Sequence, residues 1–242
     1  MLRVENLSKR YGAITVADNV AFEVAHGECL GIIGPNGAGK TSLLNLIDGS
    51  VPPDNGRVRI DGQDVTRIPQ HRRVRLGLAR AYQVPQAFAN LSVYENVLVA
   101  ALFGAGLRAG VAAGHAAGVV VRTGLAARAD RLAGDLPLLD RKRLELARAL
   151  ATRPRLLLLD EIAGGLTDPE VGELVALLRA LKQEVAMLWI EHVAHALLAV
   201  ADRLLALDFG ACIASGAPQA VMADARVRAV YLGVSPDVAA HG

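Results

Sequence analysis

The sequence predicts an α/β fold around a mainly parallel sheet, and three observations carry that prediction. Leu156-Leu157-Leu158-Leu159 is a continuous apolar run, as is Ala186-Met187-Leu188-Trp189-Ile190, and both have strand length. Such runs suit strands buried on both faces of a parallel sheet. Segments of helical periodicity alternate with them. The chain has 242 residues, of which 52% are hydrophobic, which suffices for one compact domain with a substantial core.

The elements follow in order. Leu2, Val4, Ile14, Val16, Val20, Phe22 and Val24 recur at period two and predict short strands. Glu28 to Ile33 is a short apolar run ending at a glycine-rich loop, with a helix expected from Gly39 to about Gly49. Pro52-Pro53-Asp54-Asn55-Gly56 is a turn cluster, followed by the alternating strand Arg57–Ile60, which Asp61-Gly62 closes. Val93 to Leu132 is mostly helical in period. A helix from Arg141 to about Thr152 carries Leu144, Leu146, Ala147 and Leu150 at helical spacing, and Arg153-Pro154 leads into the leucine run. Glu170 to Lys182 is a helix, Ala186 to Ile190 a strand, and the alternation continues through 195–201, 203–207, 220–222 and 226–232.

Composition excludes several functions. A net charge of +2 is too small to point to nucleic acid. His71-Arg72-Arg73-Val74-Arg75 is the densest charge run and reads as a solvated helix face. Cys29 and Cys212 lack metal-ligand or CxxC spacing, so both read as small buried residues in a reducing compartment. Met1 to Tyr11 is charged and alternating, unlike a signal peptide. Mean hydropathy is +0.33, yet the least charged region, Asn96 to Val121, is broken by Arg108, His115 and five glycines. Buried or partner-facing helices are expected there, not a span of about 20 apolar residues.

Gly34-Pro35-Asn36-Gly37-Ala38-Gly39-Lys40-Thr41 matches G-x-x-x-x-G-K-[ST] between a strand and a helix. Glycines let the backbone curl until successive N–H groups face a polyphosphate, and the helix N-terminus adds unpaired donors and a positive dipole end. Lys40 supplies charge to the terminal phosphates, the Thr41 hydroxyl a ligand for Mg2+, and Ser42 reaches the α-phosphate. The second constellation is Asp160-Glu161 at the end of the leucine run. Ligands of an open parallel sheet sit beyond the carboxyl ends of its strands, so Asp160 would face Mg2+ and Glu161 would polarise the attacking water as general base. Taken alone, such an acidic pair is often a solvated strand end; the phosphate loop upstream raises it above that.

With these motifs in place the sequence resembles the ATP-binding cassette family over essentially its whole length. Tyr11, Gln83 and His192 fall where that family has its adenine-stacking aromatic, its Mg2+- and water-contacting glutamine and its γ-phosphate-contacting histidine. The resemblance places Val16 beside the nucleotide as well. It implies a P-loop NTPase (RecA-like) core, an N-terminal antiparallel β subdomain, an inserted helical subdomain at roughly 85–150 and a C-terminal helical tail at roughly 218–242. ATP and Mg2+ are the implied cofactors. The implied partners are transmembrane permease subunits and a second ATPase subunit, with the chain peripheral on the cytoplasmic face of the membrane. Gln83, Phe88 and their neighbours would line the docking groove. Arg143 to Leu159, Ile190-Glu191-His192 and Val227 to Gly233 look most like branched-chain amino-acid importer ATPases.

The resemblance fails most severely at one place. The signature loop of the family, Leu-Ser-Gly-Gly-Gln, aligns with Leu136-Pro137-Leu138-Leu139-Asp140. Pro137 has neither hydroxyl nor N–H, Leu139 puts a branched side chain where a backbone should approach phosphate, and Asp140 is expected only to cap the following helix. Ile162 replaces a proline, and Thr167 an Asp or Asn. Because the family's subunits pair head to tail, an intact phosphate loop beside a degenerate signature suggests a heterodimer whose partner supplies the signature; a homodimer with a tolerated variant loop is the alternative. Two further readings compete with this one. A non-transport cassette ATPase would normally need a second cassette or a long coiled coil. A P-loop kinase would leave Gln83 and His192 unexplained.

Overall fold

A computed structural model describes residues 1–231. In chain order the elements are β1 (Leu2–Tyr11), β2 (Ile14–Val24), β3 (Cys29–Ile33), α1 (Lys40–Asp48), β4 (Asn55–Ile60), β5 (Gln63–Asp64), α2 (Gln70–Arg75) and β6 (Leu78–Ala81). Then come α3 (Val93–Val99), a π turn at Ala100–Gly104, α4 (Ala109–Arg122), α5 (Leu138–Ala151), β7 (Leu156–Asp160), α6 (Asp168–Lys182), β8 (Ala186–Ile190) and α7 (Ala194–Val200). The described residues end in β9 (Arg203–Asp208), β10 (Ala211–Gly216), α8 (Pro218–Ala223) and α9 (Ala225–Tyr231).

Two sheets result. The smaller is antiparallel with order β2-β1-β4-β5; the larger has order β10-β9-β3-β8-β7-β6. Every pairing in the larger sheet is parallel except the β9–β10 hairpin at its edge. The continuous apolar strands divide their residues between its two faces. Leu30, Ile32, Leu156, Leu158, Leu188 and Ile190 pack with α1 and the small sheet. Cys29, Ile33, Leu157, Leu159, Met187 and Trp189 pack with α3 to α7. Period two therefore yields two cores from one run, and α1 is sandwiched where the phosphate loop begins it. Among the described residues no helix is long and apolar enough to cross a membrane.

Four sequence expectations need correction or limits. Arg73 does not lie on a solvated face. It is 1% exposed, and its guanidinium donates to Leu46 O and Ile47 O at the end of α1 and to Thr66 O and Ile68 O. It thereby satisfies carbonyls that a helix end leaves orphaned. Cys212 is exposed rather than buried, because it sits on the edge strand β10. The helix expected from Arg141 begins three residues earlier, at Leu138. The helix predicted to reach Leu232 is described only to Tyr231, and Leu232, Gly233 and the tail to 242 lie outside the described residues.

Cys29 is fully buried in β3, and desolvation pushes its thiol up to about 12, with Asp202 and Glu28 adding to the shift against Lys182. An acid whose folded pKa is raised stays protonated below its unfolded value near 9. Its contribution to stability is complete there and is lost as pH rises towards about 12. Iodoacetamide at pH 8 is expected to alkylate Cys212 in the native protein and spare Cys29 until denaturant is added, as peptide mass spectrometry would show. Equal labelling of both would contradict the burial of β3.

Candidate functional site

The phosphate loop joins β3 to α1 with Gly39 as N-cap in a left-handed conformation. Two of its glycines are forced by close backbone approach. A Cβ on Gly34 would lie 2.3 Å from Leu207 O, and one on Gly39 would lie 2.1 Å from Val16 O. The second contact explains how β2 reaches the loop: Val16 lies directly behind it, half-buried. Asn36, Gly37 and Thr41 are exposed, and Ala38 is buried. Lys40 Nζ donates to Gly34 O and Pro35 O, both at 2.8 Å. Burial lowers its pKa, while the charges of Glu161 and Asp160 pull the other way.

Those acids sit at the carboxyl end of β7. Glu161 has φ +47°, a left-handed conformation uncommon for a side-chain-bearing residue, and its N–H donates to Ile190 O at 2.9 Å. Its carboxylate is held from two sides: Gln83 Nε2 donates to Oε2 at 2.6 Å, and His192 Nε2 lies 2.7 Å from Oε1. Three residues distant in sequence thus meet at one carboxylate. Tyr11 stands apart from them at the tip of the β1–β2 hairpin, half exposed, with Lys9 Nζ 5.4 Å from its ring centroid.

Asp160 is almost fully buried. Its Oδ2 accepts from Arg80 Nη2 at 2.5 Å, while its Oδ1 is buried without a hydrogen-bond partner among the described residues. An orphaned carboxylate oxygen near Lys40, together with hydroxyl and amide oxygens at Thr41 and Gln83, is a hard-oxygen donor set that fits Mg2+. That ion commonly takes one or two carboxylates and completes its shell with phosphates and water. Among the described residues no three His, Cys, Asp or Glu side chains form a metal cage, and Mg2+ held in this way needs none.

Sequence reasoning missed three charged residues that hold the site. Arg80, on β6, donates to Asp160, to Asp48 Oδ2 at 2.6 Å and to Asn45 Oδ1 at 2.7 Å, and stacks on Tyr82 at 4.7 Å. It joins α1 to β7 immediately before Gln83. Glu191 is 1% exposed; its Oε2 accepts from Ala163 N at 2.9 Å and its Oε1 from His192 N at 2.9 Å, so it clamps the loops after β7 and β8 together. Lys142, on α5, donates to Gln83 O at 2.5 Å; burial lowers its pKa against the pull of Glu191, Glu145, Glu161 and Asp160. The only signal in the sequence was a charge beside a recognised residue.

The degenerate loop behaves differently from expectation in one respect. Pro137 is the N-cap of α5 and makes no side-chain cap bond. Asp140 is therefore not the cap. It occupies the third helical position, buried, with Arg128 Nε 2.5 Å and Arg143 Nη1 3.7 Å away. A buried carboxylate in the first helical turn gains from the dipole as well as from its two arginines. Arg141 Nε donates to Leu136 O at 2.7 Å. Thr167 is the N-cap of α6, with Glu170 accepting from its N–H and hydroxyl. Ile162 is buried in the helix-side core.

Comparison with known proteins adds independent findings. Residues 17–164 match the family described as ABC transporter, and residues 211–237 match that described as branched-chain amino acid ATP-binding cassette transporter. The chain is 34% identical over 249 residues to the high-affinity branched-chain amino acid transport ATP-binding protein BraF of Pseudomonas aeruginosa, covering 96% of this chain and 98% of that one. It is 35% identical over 234 residues to the lipopolysaccharide export system ATP-binding protein LptB of Acidithiobacillus ferridurans, covering 96% and 97%. A solved ATP-binding cassette of an ABC transporter in its ADP conformation superposes with a TM-score of 0.87 at 28% identity, covering 97% of this chain and 99% of that one.

Proposed function

The chain belongs to the ABC transporter family as its ATP-hydrolysing subunit, and from that premise we propose how its residues do the work. The reading rests on one observation above all: Glu161, at the end of β7, is held between Gln83 and His192. Backbone N–H groups of the loop from Gly34 through Asn36, Gly37, Ala38 and Gly39 bind the β- and γ-phosphates. Lys40 exchanges loop carbonyls for phosphate oxygens, and Ser42 takes the α-phosphate. Tyr11 stacks on adenine, with Val16 beside it. Thr41, Asp160 and Gln83 hold Mg2+, whose charge offsets that developing on the phosphates. Glu161 accepts the proton of the attacking water on a carboxylate oxygen, and His192 meets the γ-phosphate.

The chain acts as one cassette domain with a helical subdomain at roughly 85–150, peripheral on the cytoplasmic face of the membrane. Its permease docks in the groove of about 260 Å3 beside the Gln83 loop, lined by Gln70, His71, Tyr82, Gln86, Glu145 and Arg148, with Phe88 half exposed at its rim over Arg148. The transported molecule is a branched-chain amino acid or a related small polar solute, a reading supported by the match at 211–237. Export is the second reading, favoured by the similar identity to LptB.

The functional pair is a heterodimer. Leu136 to Asp140 offers no hydroxyl, and its acid is engaged by Arg128 and Arg143, so a second subunit's signature closes the site on Lys40. The test is the solution mass of the isolated Glu161→Gln chain with and without MgATP. A monomer that binds ATP is the expected result. An ATP-dependent dimer would mean that Leu136 to Asp140 closes over a γ-phosphate and that a homodimer suffices.

A further inference from the structure

Phe209 and Gly210 form the two-residue turn between β9 and β10, with Asp208 paired to Ala211 across it. Both have positive φ, 44° and 80°, the combination of a type I′ turn that Asn-Gly ordinarily serves. Gly210 is obligatory, since a Cβ there would lie 2.9 Å from Val16 C. Its N–H donates to Ala38 O at 3.0 Å and its carbonyl accepts from Asp18 N at 2.9 Å, so the turn is fastened to the phosphate loop and to β2. Phe209 has no such necessity. A bulky aromatic in the left-handed region is an outlier, and Phe209 is 82% exposed, so among the described residues little packing offsets its backbone. Strain retained without a packing reason points to function.

The sheet order says what that function is. The phosphate loop follows β3, which lies between β8 and β9. Glu161 and His192, at the ends of β7 and β8, occupy one flank of the loop. A nucleotide whose terminal phosphate faces them must extend its base over the other flank, across the end of β9 and the β1–β2 hairpin. The exposed apolar side chains Tyr11 (51%), Ile14 (67%) and Phe209 (82%) all belong to those two hairpins, and half-buried Val16 lies between them and the loop.

We propose that Phe209 forms a second aromatic wall of the purine site, contacting the base or ribose from the β9–β10 turn while Tyr11 contacts the base from the β1–β2 hairpin. This rests on the ATP-site reading above and adds a residue of this chain to it. An apolar contact of that kind binds the base and leaves the phosphates untouched.

The experiment measures equilibrium binding of MgATP and of inorganic tripolyphosphate with Mg2+, which lacks a base, to the wild-type chain, Phe209→Asn, Phe209→Trp and Lys40→Ala. Asparagine suits the left-handed turn position, so Phe209→Asn should melt no lower than wild type without nucleotide. Its ATP dissociation constant should rise roughly five- to tenfold, within the range of base–aromatic stacking, with tripolyphosphate unchanged; Phe209→Trp should stay within about twofold of wild type on the same grounds. ATP affinity unchanged in Phe209→Asn would overturn the proposal and leave the ring to a protein partner. Equal loss of both ligands would overturn it too, because the turn would then act through Ala38 and the phosphate loop. Lys40→Ala should lose both ligands. If it loses neither, the ATP-site reading itself fails, whatever Phe209 does.

Discussion

Glu161→Gln is expected to lower ATP turnover by roughly 10²–10³-fold, the lower half of the range for general-base catalysis, while the ATP dissociation constant stays within a few fold of wild type. The amide keeps the size of the carboxylate and can still meet Gln83 and His192, which hold it at 2.6 and 2.7 Å. It cannot take a proton from water. The left-handed backbone at Glu161 and its N–H bond to Ile190 O are unaffected, so folding should be too. The decisive measurement is steady-state phosphate release by this chain together with its partner subunit, beside direct nucleotide binding. Undiminished turnover would remove Glu161 from the proton transfer and would equally undo the assignment of the intact site to this chain.

Arg80→Met is expected to cost about 3–5 kcal/mol of folding stability, the usual consequence of leaving buried carboxylates without their partner. The Arg80 side chain is 5% exposed and the carboxylates of Asp48 and Asp160 are 0% and 6% exposed. Burial pushes the guanidinium down, yet its hydrogen bonds to Asp160 and Asp48 outweigh that and raise it, so the charge is kept. Methionine fills similar volume and takes the cation from both acids, leaving Asp48 only its bonds from Ser50 and Gln70. Arg80→Lys should lie between the two, since an ammonium has the charge but not the fork that spans two carboxylates. Adding Asp48→Asn to Arg80→Met should recover part of the loss. Urea unfolding of the four proteins reads this directly, and a loss below about 1 kcal/mol would show that the network is exchanged for water at little cost.

The same network shows why its members differed in legibility. Arg80 and Asp160 are 80 positions apart. Asp160 is legible in the sequence as a candidate because it ends an apolar strand downstream of a glycine-rich motif. Arg80 is one arginine among many, and nothing within ten residues says that it is buried or that two acids await it. Lys142 and Glu191 were hidden for the same reason. Arg73 reads as wet because His71, Arg72 and Arg75 surround it in sequence, whereas its length lets it cross to the carbonyls ending α1. Cys212 is exposed against expectation because strand-forming residues do not reveal whether their strand lies at an edge.

By itself the sequence determined the α/β class, the buried strands Leu156 to Leu159 and Ala186 to Ile190, the strand–loop–helix that carries the glycine-rich motif through Lys40 and Thr41, and the place of Asp160 and Glu161 at a strand end, but not the strand Leu78–Ala81 that carries Arg80. These depend on period and on contiguous residues, whose backbone geometry is local. Only the tertiary structure decided that Gln83 and His192 converge on Glu161, that Arg80 and Lys142 are buried charges, that Asp140 pairs with Arg128 rather than capping α5, and that Phe209 stands beside the phosphate loop. Burial and charge pairing are properties of segments brought together from afar. A polar side chain's solvation is fixed by whatever packs against it, and no window along the chain contains that information.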